Sequence, residues 1–129
     1  MNQTETRAPS HILVLDDDPA LVRVVRLALL SEGFTVAVAV DGVQGLEMIE
    51  ANGYDLLVLD LQMPRMDGRT FYRELRARGF NIPVLLLSAF GAHAARRELM
   101  AEDALDKPFD TDDLVSRIRD LLAGQGREA

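Results

Sequence analysis

The sequence predicts a doubly wound α/β fold, with one five-stranded parallel sheet in the order 2-1-3-4-5 and helices on both faces. Three observations lead there. Short, nearly continuous apolar runs alternate with segments of helical periodicity, five times over, with short breaks between them. The runs are apolar throughout rather than alternating, which is the pattern of strands buried on both faces. The length, 129 residues, suits one domain with one core. Right-handed crossovers then place helices on both sides of the sheet.

Each element has its own signal. His11–Leu15 (HILVL) reads as the first strand and is closed by Asp16, Asp17, Asp18 and Pro19. Pro19 suits the first turn of a helix, with Asp18 as its cap. Leu21, Val24, Val25, Ala28 and Leu29 then recur at helical spacing until Gly33. Phe34–Val40 is β-branched and strand-like. Asp41 and Gly42 lead into a helix carrying Val43, Leu46 and Ile49, ended by Asn52 and Gly53. Tyr54–Leu59 is the third strand, with Asp60 standing at its end. A loop with Pro64 precedes a helix over about Gly68–Arg78, bearing Phe71, Tyr72 and Leu75. Ile82–Leu87 is the fourth strand, closed by Ser88. A short helix covers Ala92–Met100, and Asp103–Asp106 is a weak fifth strand before Lys107 and Pro108. The last helix is capped near Asp110 or Thr111 and lines up Leu114, Ile118, Leu121 and Leu122. The domain therefore spans residues 11–123, between polar tails at 1–10 and 124–129.

Composition excludes several function classes. There is no Cys, hence no disulfide, thiolate metal site or cysteine nucleophile. The net charge of −7, from 14 basic and 21 acidic residues, argues against direct nucleic-acid binding, which needs a positive footprint. No apolar run approaches the roughly 20 residues that span a bilayer, and the first ten residues lack the apolar stretch of a signal peptide. A cytoplasmic protein without membrane contact is expected.

In the predicted strand order, the first and third strands flank the topological switch point, where ligands bind beyond the strands' carboxyl ends. Asp16 and Asp17 follow the first strand and Asp60 ends the third, so the winding alone brings them into one crevice. Two such charges 4 Å apart repel by roughly 4 kcal/mol at an effective dielectric of about 20. A cluster of this kind takes up protons or holds a cation, and Mg²⁺ suits oxygen ligands that also bridge to phosphate. Ser88 and Lys107, at the ends of the fourth and fifth strands, supply a hydroxyl and a fixed positive charge. Together these groups form a clamp for a tetrahedral oxyanion, and an Asp carboxylate can itself accept a phosphoryl group.

The chain resembles the receiver domains of bacterial two-component response regulators, which have a flavodoxin-like fold. The resemblance rests on Leu13 to Pro19 (LVLDDDP), Leu57 to Pro64 (LVLDLQMP), Met66-Asp67-Gly68, Leu87-Ser88-Ala89 and Lys107-Pro108-Phe109. It spans Ile12 to Leu122. It implies that Asp60 is the phosphoacceptor, that Asp17 ligates Mg²⁺ directly with help from Asp16, and that the backbone carbonyl of Gln62 completes the protein's share. It implies that Ser88 bonds the phosphoryl group, with the Ala89 N–H nearby. Lys107 would pair with a phosphoryl oxygen, ahead of a cis bond to Pro108. The donor would be the phosphohistidine of a histidine kinase or phosphotransfer protein. The chain would catalyse only its own phosphorylation and dephosphorylation, and with no output domain after Leu122 it would act by protein–protein contact.

Other residues have plainer readings. Asp18 and Asp67 are expected to be caps, His11 structural, His93 a surface residue, and Met63 and Met66 loop packing. An aspartate-nucleophile phosphatase would need a second acid two places after Asp60, where Gln62 stands. A flavodoxin-like binding module, or a degenerate receiver that is never phosphorylated, is the other alternative. The former would need a Gly-rich or Ser/Thr-rich loop where this chain has three acids and Pro19. Two departures from the receiver pattern stand out. Ala104 occupies the place of a usual aromatic, and only 18 residues separate Ser88 from Lys107, which shortens the fourth helix. The face of helix 4, strand 5 and helix 5 is therefore expected to be remodelled. Gln62 and Phe90 stand where hydrolysis of the acyl phosphate is tuned, and slow loss of the phosphoryl group is expected.

Overall fold

The computed structural model describes the backbone of residues 9–128 and the side chains of residues 9–124. Five strands alternate with five helices: β1 (His11–Leu15), α1 (Pro19–Ser31), β2 (Thr35–Ala39), α2 (Gly42–Ala51), β3 (Leu56–Asp60), α3 (Gly68–Ala77), β4 (Val84–Ser88), α4 (Ala92–Leu99), β5 (Asp103–Asp106) and α5 (Thr111–Glu128). All strand pairings are parallel and the order is β2-β1-β3-β4-β5, as the sequence predicts.

Alternate side chains of each central strand enter different cores, which is why these runs are apolar throughout. Leu13, Leu15, Leu57, Leu59, Val84 and Leu86 join Leu46, Ile49, Phe71 and Leu75 of α2 and α3 on one face. Ile12, Val14, Leu56, Val58, Leu85 and Leu87 meet Val25, Leu29, Leu114 and Ile118 of α1 and α5 on the other. Only β2, at one edge, is partly exposed along most of its length.

Side-chain caps fix where the helices start. Asp18 accepts from the Ala20 and Leu21 N–H groups, Asp41 from Gln44, and Asp67 from Thr70. Asp18 and Asp67 thus have the capping roles expected of them. His11 is structural: its ring stacks on Tyr54 at 4.8 Å, and its N–H donates to Asp55 at 2.7 Å.

Several boundaries shift by a residue or two, for reasons the ladder makes plain. The segment expected as strand 34–40 pairs only over Thr35–Ala39, because β1 offers it five partners. β3 begins at Leu56 and includes Asp60, while Tyr54 is taken up by His11. β4 starts at Val84, since Pro83 has no N–H for the ladder and contributes only its carbonyl, to Leu57 N–H at 3.0 Å. α3 ends at Ala77 and α4 at Leu99, where Met100 turns into the left-handed region at φ 59°. The largest difference lies at the end of the chain. The segment 124–129, read as a tail, continues α5 as far as Glu128, because an existing helix gains one hydrogen bond for each residue added. Of the expected N-terminal tail, residues 1–8 lie outside the described residues.

One glycine is required by close approach. A Cβ on Gly68 would lie 2.6 Å from Leu61 Cα and 2.7 Å from the Asp60 carbonyl oxygen. The start of α3 therefore presses directly on the backbone that carries Asp60. No helix among the described residues is long and apolar enough to cross a membrane.

Candidate functional site

Parallel register brings the carboxyl ends of the strands level. Leu15 pairs with Leu59, Asp60 with Leu87, and Ser88 with Asp106. Backbone bonds continue each ladder by one step: Asp16 N–H donates to Ala39, Leu61 to Leu87 and Lys107 to Ser88, at 2.8–3.1 Å. Asp16, Asp60, Ser88 and Lys107 are thus fixed by the sheet itself rather than by flexible loops.

The expected acids do meet. Carboxylate oxygens of Asp16, Asp17 and Asp60 all lie within 4.8 Å of one another. Asp16 and Asp60 are 1% and 3% exposed, whereas Asp17 is open to solvent. Asp16 is held by the Asp18 N–H, at 3.0 Å, and Asp60 by the Gln62 N–H, at 3.1 Å. The Lys107 ammonium lies 3.3 Å from Asp16 Oδ2 and 3.3 Å from Asp60 Oδ1, the one cation among the described residues that bridges these two buried carboxylates. Its bond to Pro108 is cis, as the resemblance implies.

One positive charge does not balance this cluster. Burial pushes the Asp60 carboxyl up to about 6, and the Asp16 charge pushes the same way; the Gln62 N–H and the Lys107 ammonium pull it back. The donor set consists of hard oxygens, two buried and one open to water, which fits a small divalent cation that keeps part of its hydration. Asp16, Asp17 and Asp60 could therefore hold a metal ion.

Ser88 lies at the same level, wholly buried, but its hydroxyl faces the following turn. It donates to the Phe90 carbonyl at 2.7 Å and accepts from the Phe90 N–H at 3.1 Å. It also accepts from the Gln62 side-chain amide at 3.0 Å. This amide contact adds to the roles expected of Gln62 from the sequence, its backbone carbonyl and a place where acyl phosphate hydrolysis is tuned. The Phe90 side chain stands 83% exposed. Ala104 is fully buried within the core beneath α4, so the place expected for an aromatic holds only a methyl group.

A second pair escaped the sequence reading altogether. Buried Asp41 accepts from Arg65, in the loop between β3 and α3, through both Nε (3.1 Å) and Nη2. The available signal was Asp41-Gly42 before a helix, which marks a cap but not a distant partner.

Comparison with known proteins places this geometry. The family model described as the response regulator receiver domain matches residues 12–119. Among curated relatives, the response regulator MprA of Mycobacterium ulcerans is 44% identical over 115 residues, covering 87% of this chain and 50% of the relative. MprA of Mycobacterium avium is 42% identical over 115 residues, with the same coverage of 87% and 50%. The chain thus spans about half the length of these relatives. Among solved structures, the receiver domain of the Francisella response regulator 1452 superposes with a TM-score of 0.84 at 33% identity, covering 90% of this chain and 98% of that one. A CheY-like receiver domain protein from Methanospirillum hungatei shares the fold, with a TM-score of 0.87 at 23% identity over 94% of this chain and 99% of that one.

The raised Asp60 carboxyl gives stability a pH signature. Its folded value, about 6, lies above the usual 3.8, so the folded state holds this proton more tightly than the unfolded chain does. This contribution to stability is present below pH 3.8 and is lost as pH rises through about 6, where the buried charge forms. Asp60→Asn removes that charge. In metal-free buffer at pH 7 its Tm is expected to exceed wild type by roughly 2–5 °C, with the gap closing towards about pH 4. Thermal unfolding followed by circular dichroism checks this; equal Tm values at pH 7, or a gap that ignores pH, would contradict it.

Proposed function

The chain belongs to the response regulator receiver family of two-component signalling, and from that premise we propose that it is a switch phosphorylated on Asp60 by a histidine kinase or phosphotransfer protein. The observation that carries this reading is the cluster itself: three carboxylates within 4.8 Å, with Lys107 3.3 Å from both buried members. Asp60 is the acid that the sheet, the Gln62 N–H and Lys107 jointly orient, and the neighbouring acids are arranged to hold a cation against it.

In this reading Asp16, Asp17, Asp60 and the backbone carbonyl of Gln62 would hold Mg²⁺. When bound, Mg²⁺ offsets negative charge on the carboxylates and on the incoming phosphoryl oxygens. An Asp60 carboxylate oxygen attacks phosphorus, forming a P–O bond as the P–N bond of the donor's phosphohistidine breaks. The electron pair of that bond stays on the imidazole nitrogen. Asp60 must be ionised to attack, which the pH of a cell permits for a carboxyl near 6. Lys107 moves from its carboxylate partners to a phosphoryl oxygen, and Ser88 turns its hydroxyl from the Phe90 carbonyl to another. Gln62 in place of an acid two residues after Asp60 speaks against turnover of free phosphate esters.

The same Ser88 rotation supplies an output. It withdraws the donor that holds the Phe90 carbonyl, just ahead of α4, whose first cap position is Gly91 and carries no side chain to cap the helix. Ala104 has no ring to move inward behind Ser88. We therefore assign the output to the Ser88–Gly91 turn and the start of α4, read by a partner protein through direct contact.

Two measurements test these assignments. Intact-mass analysis after acetyl phosphate and Mg²⁺ should show one added phosphoryl group on wild type and none on Asp60→Ala; no gain on wild type from any donor would leave a receiver fold without the chemistry. Amide chemical shifts with beryllofluoride and Mg²⁺ should change over Ser88–Gly91 and the first turn of α4, with Ala104 and Leu105 near their resting positions. Large changes throughout α4 and β5 would sink the altered output face.

A further inference from the structure

Four polar or charged residues are buried among the described residues, and three of them, Asp16, Asp60 and Ser88, form the pocket. The fourth is Asp41, at the start of α2. One of its oxygens caps that helix, accepting from the Gln44 N–H at 2.8 Å. The other accepts from two nitrogens of one guanidinium, that of Arg65. Two N–H groups of one guanidinium thus converge on a single carboxylate oxygen, and both bonds are charge-assisted.

Arg65 is an unlikely residue for its backbone. Its φ of 67° lies in the left-handed region, which disfavours any side chain with a Cβ. Its side chain is 64% exposed, so burial does not hold it there. What holds it is Asp41. A second contact reinforces the first: a Cβ on Gly42 would lie 2.9 Å from Met66 Cβ and Sδ, so Met66 sits directly against the helix start. Residues 65 and 66 of the β3–α3 loop are thus clamped to the first turn of α2.

The inner side of that loop is anchored on the pocket. Gln62 N–H donates to Asp60 at 3.1 Å, and Gly68 N–H closes the loop onto the Leu61 carbonyl at 3.0 Å. Between these anchors lie Met63 and Pro64, and the Met66 N–H bonds the Pro64 carbonyl at 2.7 Å. The loop therefore has two fixed flanks, and the Asp41–Arg65 pair supplies the outer one.

We infer that Arg65 and Asp41 are positioning residues for the metal: their pair fixes the β3–α3 loop so that the Gln62 carbonyl, next to the sheet-held Asp60, stands where a cation needs it. This rests on the metal site proposed above. A structural pair and a positioning pair differ in what their removal does. Arg65→Gly gives up the pair but suits the left-handed backbone, so fold stability changes little while the loop loses its outer flank. Asp41→Asn keeps an oxygen to cap α2 but weakens the hold on Arg65. Affinity for the cation should fall in both, independently of stability.

Isothermal titration of the full chain with Mg²⁺ alone, at pH 7, tests this. Arg65→Gly and Asp41→Asn should each weaken Mg²⁺ binding by roughly 3–10-fold, less than the roughly 10–100-fold that partners bonded directly to metal ligands contribute, because this pair acts through the loop. The double variant should bind no more weakly than the worse single, since both remove one interaction. Arg65→Gly should meanwhile melt within a few degrees of wild type. Unchanged affinity in Arg65→Gly, or losses that multiply in the double variant, would overturn the inference and leave the metal site standing. A wild type that binds no Mg²⁺ would overturn both.

Discussion

Three carboxylates gathered at the ends of two neighbouring strands repel one another, and the rest of the pocket follows from that repulsion. Asp16 and Asp60 are nearly closed off from water, which is what raises the Asp60 carboxyl. A single ammonium, Lys107, reaches both at 3.3 Å and cannot neutralise them together with Asp17. Such a site holds more negative than positive charge, and a hard divalent cation is the kind of ligand that would offset it.

The fold is what makes this arrangement tolerable. The central strands bury side chains on both faces, so their backbone positions are set by two cores rather than by the pocket. Asp60 is paired in the ladder, and Gly68 lets α3 press against its carbonyl. Repulsion that would open a loop is here opposed by a sheet. The adjoining loop has its own restraint, in Asp41 and Arg65, on the side away from the acids. Among the described residues, the turn after β4 lacks such a restraint from a neighbouring element: Phe90 is exposed, α4 begins at a glycine, and the Phe90 backbone is held by Ser88. In the proposed function, a signal generated at Ser88 would pass into this turn and the start of α4.

The sequence made the strand cores and the pocket legible for the same reason: both depend on order along the chain and little on detail. Strands buried on both faces must be apolar throughout, and residues just past their carboxyl ends must share a crevice in this winding. Asp16, Asp17, Asp60, Ser88 and Lys107 could therefore be placed without coordinates. Strand limits were less legible, because they depend on the partner: β2 stops where β1 stops, and Pro83 removes a donor that only the ladder reveals. The helical extension of α5 through Gly124 has no apolar signature, since it carries on past the face that Ile118 packs. The Asp41–Arg65 pair was beyond reach altogether. It joins residues 24 apart through a left-handed residue in an irregular loop, and no periodicity encodes that. Ser88 showed the limit most sharply, for its position was predictable but the direction of its hydroxyl was set by Phe90 and Gln62.

The central claim is that the acidic cluster is a cation site rather than a set of caps and solvated acids. Thermal unfolding against Mg²⁺ concentration, at pH 7 and constant ionic strength, tests it most directly. A ligand bound only by the folded state raises stability with the logarithm of its concentration once above its Kd. The predicted result is a Tm that climbs steadily with Mg²⁺ while an equal ionic strength of sodium chloride leaves it unmoved. A Tm that follows ionic strength alone, without distinguishing Mg²⁺ from Na⁺, would contradict the account.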